Sequence, residues 1–316
     1  MSEYSKDINF MKQVDPVSGF ITKPPESFNT TYHEIFPDLN YRWSVLRERF
    51  GPEWRWYEEK WKEIPYHLDK YGFRNEHNPD DLEDGYILLC GQSMAEGTGC
   101  YFSDSIANFI EEITCTKVYV AATNALDSFG IFYNTMTALS TIKAKPSHIL
   151  YLPTSPQSHI FTQRTNDGRI INTMDYMGHI KQRISLGFDV DMEWLVNAMD
   201  FHRSYFENKH SDFVNDMCLQ MINQLDIPST FIDMAPSGNA LSDEYNIEID
   251  GNKVTVDCFP TSEQQVFLTQ LHHKPDGHDD YKKVSMKWLN TRSRDLLHTG
   301  PELNRKIAKA VCKTIQ

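Results

Sequence analysis

The sequence predicts an α/β protein: a mainly parallel sheet with helices on both sides, in a three-layer α/β/α, flavodoxin-like arrangement. Three observations carry that prediction. Short apolar runs recur at residues 86–90, 117–122, 147–152 and 229–234. The first three are apolar nearly throughout instead of alternating, as strands buried on both faces are, and 229–234 (Ser-Thr-Phe-Ile-Asp-Met) fits a fourth strand. Between the first three lie single stretches with helical apolar spacing, which is the pattern of parallel βαβ units.

The first eighty residues stand apart from this alternation. Pro16, Pro24-Pro25, Pro37 and Pro52 punctuate them, and aromatics cluster over 41–71. Residues 39–50 and 53–64 each suit a short helix, the second bearing Trp54, Trp56 and Trp61. Residues 1–80 are therefore expected to be an aromatic-rich helical extension packed on a main domain of residues 81–316. Asn78-Pro79-Asp80-Asp81 forms a polar turn before the first apolar run.

Within the main domain, 86–90 is the first strand. A helix over 103–114 follows, with Ile106, Phe109, Ile110 and Ile113 on one face and Ser103 as its cap. The strand at 117–122 leads to a helical pattern through Phe132, Met136, Leu139 and Ile142. The strand at 147–152 is bounded by Pro146 and Pro153. Residues 161–186 are less regular, with a turn at Asn166-Asp167-Gly168. A long helical pattern spans 192–225, broken near His210, before the strand at 229–234. Residues 246–256 suit a hairpin around Asp250-Gly251-Asn252, expected as a small insertion near 240–260 outside the core. Helices at 281–289 and 301–314 close the chain.

Bulk properties narrow the function classes. With 316 residues, 40% apolar and 24% charged, the chain can bury a sizeable core. A net charge of −13 provides no positive field for nucleic acid or an anionic membrane, so neither is an expected partner. The six cysteines form no C-x-x-C pair, which argues against a zinc ribbon or disulfide framework. The first residues lack a basic segment followed by an apolar one, and no apolar run approaches ~20 residues. The expectation is a soluble, cytoplasmic protein. Nothing in the sequence calls for a cofactor or sets the oligomeric state.

The chemistry concentrates in two fragments. Gly91-Gln92-Ser93-Met94-Ala95-Glu96-Gly97 follows the first strand directly, holding a hydroxyl at the carboxyl edge of the sheet, where α/β folds keep their ligands. A serine hydroxyl becomes a nucleophile when a histidine takes its proton and a carboxylate fixes the imidazole tautomer. Pro275-Asp276-Gly277-His278 supplies both groups. Taken singly, Gly-x-Ser is more often a turn or helix cap, and Asp-Gly-His more often a turn. Their placement, after the first strand and before one of the last helices, favours the functional reading.

The pair resembles the first and last blocks of the SGNH (GDSL-type) serine hydrolases, a family of esterases, lipases and acetylhydrolases with a three-layer α/β/α fold. Tyr71-Gly72-Phe73-Arg74 is also similar to lead-ins of phage and bacterial members. The resemblance spans roughly residues 72–289. It implies Ser93 as nucleophile, with its own N–H in the oxyanion hole, His278 as general base and Asp276 as its orienting partner. The family's usual spacing is Asp-x-x-His, and Asp276–His278 is one residue shorter. Gly91 and Gln92 belong to the first block. In the second block Asn124 stands near the glycine whose N–H the family uses. In the third, Ser155 falls nearest the place of an asparagine. The resemblance implies a small acyl ester as substrate, with O-acetylated carbohydrate as one candidate.

Three other readings compete. An α/β-hydrolase would carry a second glycine where Ala95 stands, with its acid well upstream of its histidine. Residues 272–280 are dense in imidazole and carboxylate, but Pro275 and Gly277 prevent helical ligand spacing, so no metal is expected. The altered middle blocks and the tryptophans near residue 56 also suit a catalytically degenerate SGNH-fold protein that binds a glycan or a protein partner.

Overall fold

The computed structural model describes residues 12–15, 17–22, 30–31, 64–124, 126–153, 160–164, 170–174, 210–234, 245–256 and 298–315. The strands are β1 (Lys12–Val14), β2 (Ile21–Thr22), β3 (Thr30–Thr31), β4 (Pro65–Tyr66), β5 (Ile87–Gly91), β6 (Val118–Ala122), β7 (His148–Tyr151), β8 (Ile160–Arg164), β9 (Ile170–Met174), β10 (Ser229–Asp233), β11 (Tyr245–Ile249) and β12 (Asn252–Val256). The helices are α1 (Ser93–Glu96), α2 (Ile106–Thr114), α3 (Ser128–Thr141), α4 (His210–Asn223) and α5 (Pro301–Ile315).

The protein is α/β. Its main sheet has six strands in the order β12-β11-β10-β7-β5-β6. β10, β7, β5 and β6 run parallel, and β11 and β12 join antiparallel. From β5 the chain passes through α2 to β6 on one side. It then returns through α3, across β5, to β7 on the other. The strand order therefore reverses at β5, so a crevice at the carboxyl end of β5 is the expected ligand position.

Alternation along the buried strands feeds two cores. Ile87, Leu89, Val118, Val120, Ala122 and Leu150 pack with Ile106, Phe109 and Ile110 of α2 and Leu303, Ile307 and Val311 of α5. Leu88, Cys90, Tyr119, Ala121, Ile149 and Tyr151 pack with Ile131 and Ala138 of α3 and Ile222 of α4. Each fully buried aliphatic or aromatic side chain here contributes roughly 1.5–3 kcal/mol. Truncating Leu89, which has no exposed surface, to alanine costs about 2–5 kcal/mol.

Several elements depart from the sequence reading. Ser103 lies in a short 3-10 turn, Phe102–Asp104, and the cap of α2 is Ser105, whose Oγ accepts from Asn108 N–H at 3.2 Å. The hairpin at Asp250-Gly251 forms, but it extends the main sheet. Ile247, Ile249 and Val256 are buried in the core on the α2–α5 side. Strand-edge N–H and C=O groups on β10 require a partner, and β11 supplies it.

A second, four-stranded antiparallel sheet has the order β2-β1-β9-β8. It joins the two ends of a separation of some 150 residues, a pairing that local pattern does not reveal. Phe20 and Ile21 lead from it into the core on the α3 side, where Phe20 meets Phe73 edge to face at 4.9 Å. Asn134 of α3 pairs with the Ile21 backbone as a strand would: Ile21 N–H donates to Oδ1 at 2.8 Å, and Nδ2 donates to Ile21 O at 2.9 Å. Within residues 1–80 the described elements are short strands and a 3-10 turn, Pro79–Asp81. The expected helices at 39–50 and 53–64 lie outside the described residues, apart from Ile64, which is buried. Among the described residues no helix is long and apolar enough to cross a membrane.

Candidate active site

The β5–α1 turn is built by sequence at each step. Gly91 ends β5, and a Cβ there would stand 2.7 Å from Ala95 Cβ and 3.0 Å from Leu152 Cβ. Only glycine fits the bend. Gln92 precedes the helix and its carbonyl accepts from Glu96 N–H at 2.9 Å. Ser93, half-buried, opens α1, and Met94 packs against the core beneath it. Gly97 closes the single turn in a left-handed conformation at φ 73°, and the Thr98 N–H returns to Ser93 O at 2.9 Å.

The loop after α1 is clamped by a buried cation. Arg74 donates from Nη1 to Gly97 O at 2.7 Å and from Nη2 to Cys100 O at 2.7 Å. Its guanidinium lies over the Tyr66 ring, 4.1 Å from the centroid. Tyr66 Oη in turn accepts from Gly99 N–H at 2.9 Å. Burial pushes the Tyr66 hydroxyl well above its ordinary range, so it stays neutral. The fragment 71–74 that suggested a lead-in thus supplies a side chain that fixes the β5–α1 turn and the loop after it.

Glu96 ties that turn to the next strand. Its side chain is 2% exposed, and Oε2 accepts from Thr98 Oγ1 at 2.9 Å and from Asn124 N–H at 3.0 Å. Register places Gly91 opposite Ala122, so Ser93 and Asn124 each follow that pair by two residues. Asn124 is buried and, among the described residues, its Oδ1 has no hydrogen-bond partner; the same holds for Thr123 Oγ1. Three residues on, Asp127 caps α3 by accepting from Gly130 N–H at 2.7 Å, and burial pushes its carboxyl up to about 6.

Of the expected site residues, the structure places Gly91, Gln92, Ser93 and Asn124 together at the carboxyl edge of β5 and β6. The Asn124 N–H, expected as an oxyanion donor, is already committed to Glu96. Ser155, Asp276 and His278 lie outside the described residues. Cys90, beside the turn, does not compete with Ser93, because burial pushes its thiol up to about 12 and its thiolate is absent at neutral pH. Among the described residues no group of three or more His, Cys, Asp or Glu is arranged to hold a metal ion. The histidine-rich stretch 272–280 lies outside them.

A further contact to this turn comes from the end of the chain. His298 lies three residues before α5, and its neighbour Thr299 reaches the β5–α1 turn. Thr299 Oγ1 meets Met94 Sδ at 3.9 Å, and Cys100 Sγ donates to Thr299 O at 3.2 Å. Asn304 of α5 adds Nδ2 to Asp104 O at 2.9 Å. The residue after Ser93 and the residue after His298 are therefore in contact. A signal was available: Asp295-Leu296-Leu297-His298 carries the Asp-x-x-His spacing directly before the last helix. No family model, curated protein or solved structure matches this chain.

Proposed function

We propose that the protein is a serine ester hydrolase of SGNH type acting on a small acyl ester, with O-acetylated carbohydrate as a candidate substrate. The single observation that supports this is the turn at the reversal point of the sheet, where close packing around Gly91 holds Ser93 at the carboxyl end of β5. Ser93 Oγ attacks the acyl carbon as the imidazole takes its proton, and the carbonyl electron pair moves onto oxygen. Collapse of that intermediate expels the alcohol, which takes the proton back. Water, deprotonated by the same imidazole, then frees the acid and restores Ser93.

His278, with Asp276, remains the proposed base, and His298, whose neighbour Thr299 contacts Met94, is a second candidate. The accompanying fold reading is the three-layer, flavodoxin-like arrangement of the family, supported by the strand order β6-β5-β7-β10 and by cores on both sheet faces. The N-terminal stretch is read as an aromatic-rich extension of that domain.

Turnover of p-nitrophenyl acetate by the full chain tests the reading. Ser93→Ala and His278→Ala are expected to lower kcat by about 10³-fold or more. Full activity in Ser93→Ala removes the nucleophile; loss in His298→Ala but not in His278→Ala moves the base to residue 298. The alternative reading, a degenerate glycan- or protein-binding SGNH fold, is favoured by the engagement of the Asn124 N–H, which removes one backbone donor. It predicts a folded protein that neither turns over ester nor labels at Ser93 with a fluorophosphonate.

A further inference from the structure

A cavity lies at the amino-terminal end of the main sheet, and what it implies does not depend on the esterase reading. It measures about 500 Å³ and opens where β5 and β7 begin, between the last residues of α2 and α5. Ile87 lines it and opens β5, whereas Gly91 ends that strand at the Ser93 turn. At ~3.3 Å per residue the two ends stand about 13 Å apart.

The polar lining consists of acceptors. Thr114, Thr116, Ser147 and Thr314 line the cavity, and each hydroxyl already donates its proton to a main-chain carbonyl. Thr114 Oγ1 donates to Ile110 O at 2.8 Å and Thr116 Oγ1 to Thr114 O at 3.3 Å. Ser147 Oγ donates to Gly85 O at 2.8 Å and Thr314 Oγ1 to Val311 O at 2.7 Å. A hydroxyl has one proton and two lone pairs, so what these four offer a ligand is lone pairs. The backbone donors of this edge are spent as well. Ile87 N–H goes to Lys117 O, Ser147 N–H to Tyr86 O, Ile149 N–H to Pro228 O and Thr116 N–H to Thr114 Oγ1. His148 also lines the cavity, and its Nε2 meets Thr230 Oγ1 at 2.9 Å. Burial holds that imidazole below its ordinary range, so it adds no positive charge at neutral pH.

The electrostatics point the same way. Thr114 ends α2 and Ile315 ends α5, so two helix C-termini meet at this cavity with their carbonyls and the negative ends of their dipoles. No Lys, Arg, Asp or Glu is among the described residues that line it. Ile87, Pro228 and Ile315 supply apolar wall. An anion would meet acceptors here. A cation that carries N–H groups on a hydrocarbon stem matches both kinds of surface.

We infer that this cavity is a binding site for a small primary ammonium on a short alkyl stem, at the opposite end of the sheet from Ser93. Titration of the full chain with n-butylammonium chloride, followed by amide NMR, tests it. The expected result is saturable shifts at residues 114–116, 147–148 and 314–315, with a Kd on the order of 1 mM. Tetramethylammonium has the charge but no N–H, and n-butanol has the stem but no charge, so each should bind at least about tenfold more weakly. Thr314→Lys sets an ammonium of the protein's own at the cavity, in a helical last turn that favours one, and should weaken butylammonium binding about tenfold or more. Thr116→Val keeps the shape, removes one acceptor and should weaken it about threefold to tenfold. Ser93→Ala should bind as the wild type does. Equal binding of tetramethylammonium, n-butanol or potassium ion, wild-type affinity in both Thr314→Lys and Thr116→Val, or loss of binding in Ser93→Ala overturns the inference.

Discussion

Two tight turns of the main sheet use the same residue types to different ends. At the β5–α1 turn, Gly91 and Gly97 are hemmed in: a Cβ on Gly97 would stand 2.9 Å from Ser105 Cβ in addition to its φ of 73°. At the β11–β12 turn, Gly251 has a nearly identical φ of 75°, yet a Cβ there would meet nothing within 4 Å. Each region also uses an aspartate to accept one backbone N–H. Asp127 takes that of Gly130 at 2.7 Å, and exposed Asp250 takes that of Phe231 at 2.8 Å. The hairpin glycine answers a demand of conformation. The glycines around Ser93 also answer a demand of space, because two strands, a helix and a buried arginine converge there.

The strongest way to break this comparison is Gly91→Ala. The clashing atoms are Ala95 Cβ and Leu152 Cβ, neither of which can rotate away, so the backbone must move. A loss of about 3 kcal/mol in urea-monitored stability is expected, with ester turnover falling further than stability explains. A near-neutral result means the turn is not packed as described.

Gly97→Ala adds strain of about 1–2 kcal/mol to a clash, for a total of about 2–3 kcal/mol, measured on the same denaturation curves. Gly251→Ala bears the strain alone and marks the low end at about 1 kcal/mol. Equal losses at the two positions would remove the distinction between space and conformation.

Asp127→Asn sharpens the electrostatic half of the contrast. Its carboxyl titrates at about 6 in the fold, above the ordinary 3.8. The native state therefore holds a proton that the unfolded chain has released. Stability is highest below about pH 4, falls as pH rises towards 6, and is level above. Asparagine still caps α3 and carries no charge, so the variant should lose that slope and gain about 1–2 kcal/mol at pH 7. Thermal melts at pH 4 and pH 7 decide it, and an unchanged pH dependence assigns the slope to another group.

The sequence made β5, β6 and β7 legible because strands buried on both faces are apolar at nearly every position, and β10 because its Phe231 and Ile232 stand in a short run after Pro228. Elements whose partners are distant were not legible. β8 and β9, reading IFTQR and IINTM, mix polar with apolar residues, and their sheet is completed by β1 from the other end of the chain. Glu96 was invisible for a related reason. A glutamate beside a glycine reads as solvated surface, and the fold makes it a buried acceptor for Thr98 Oγ1 and the Asn124 N–H.

By itself the sequence determined the parallel α/β core and the serine at the end of its first strand, since both follow from local runs and a local glycine. The tertiary structure alone decided which groups stand around that serine. Packing of the last helix brought Thr299 to Met94, and pairing of β5 with β6 brought the Asn124 N–H to Glu96. Those contacts span about 30 to 200 residues of chain, a separation over which burial and hydrogen-bond satisfaction, and not local pattern, choose the partner.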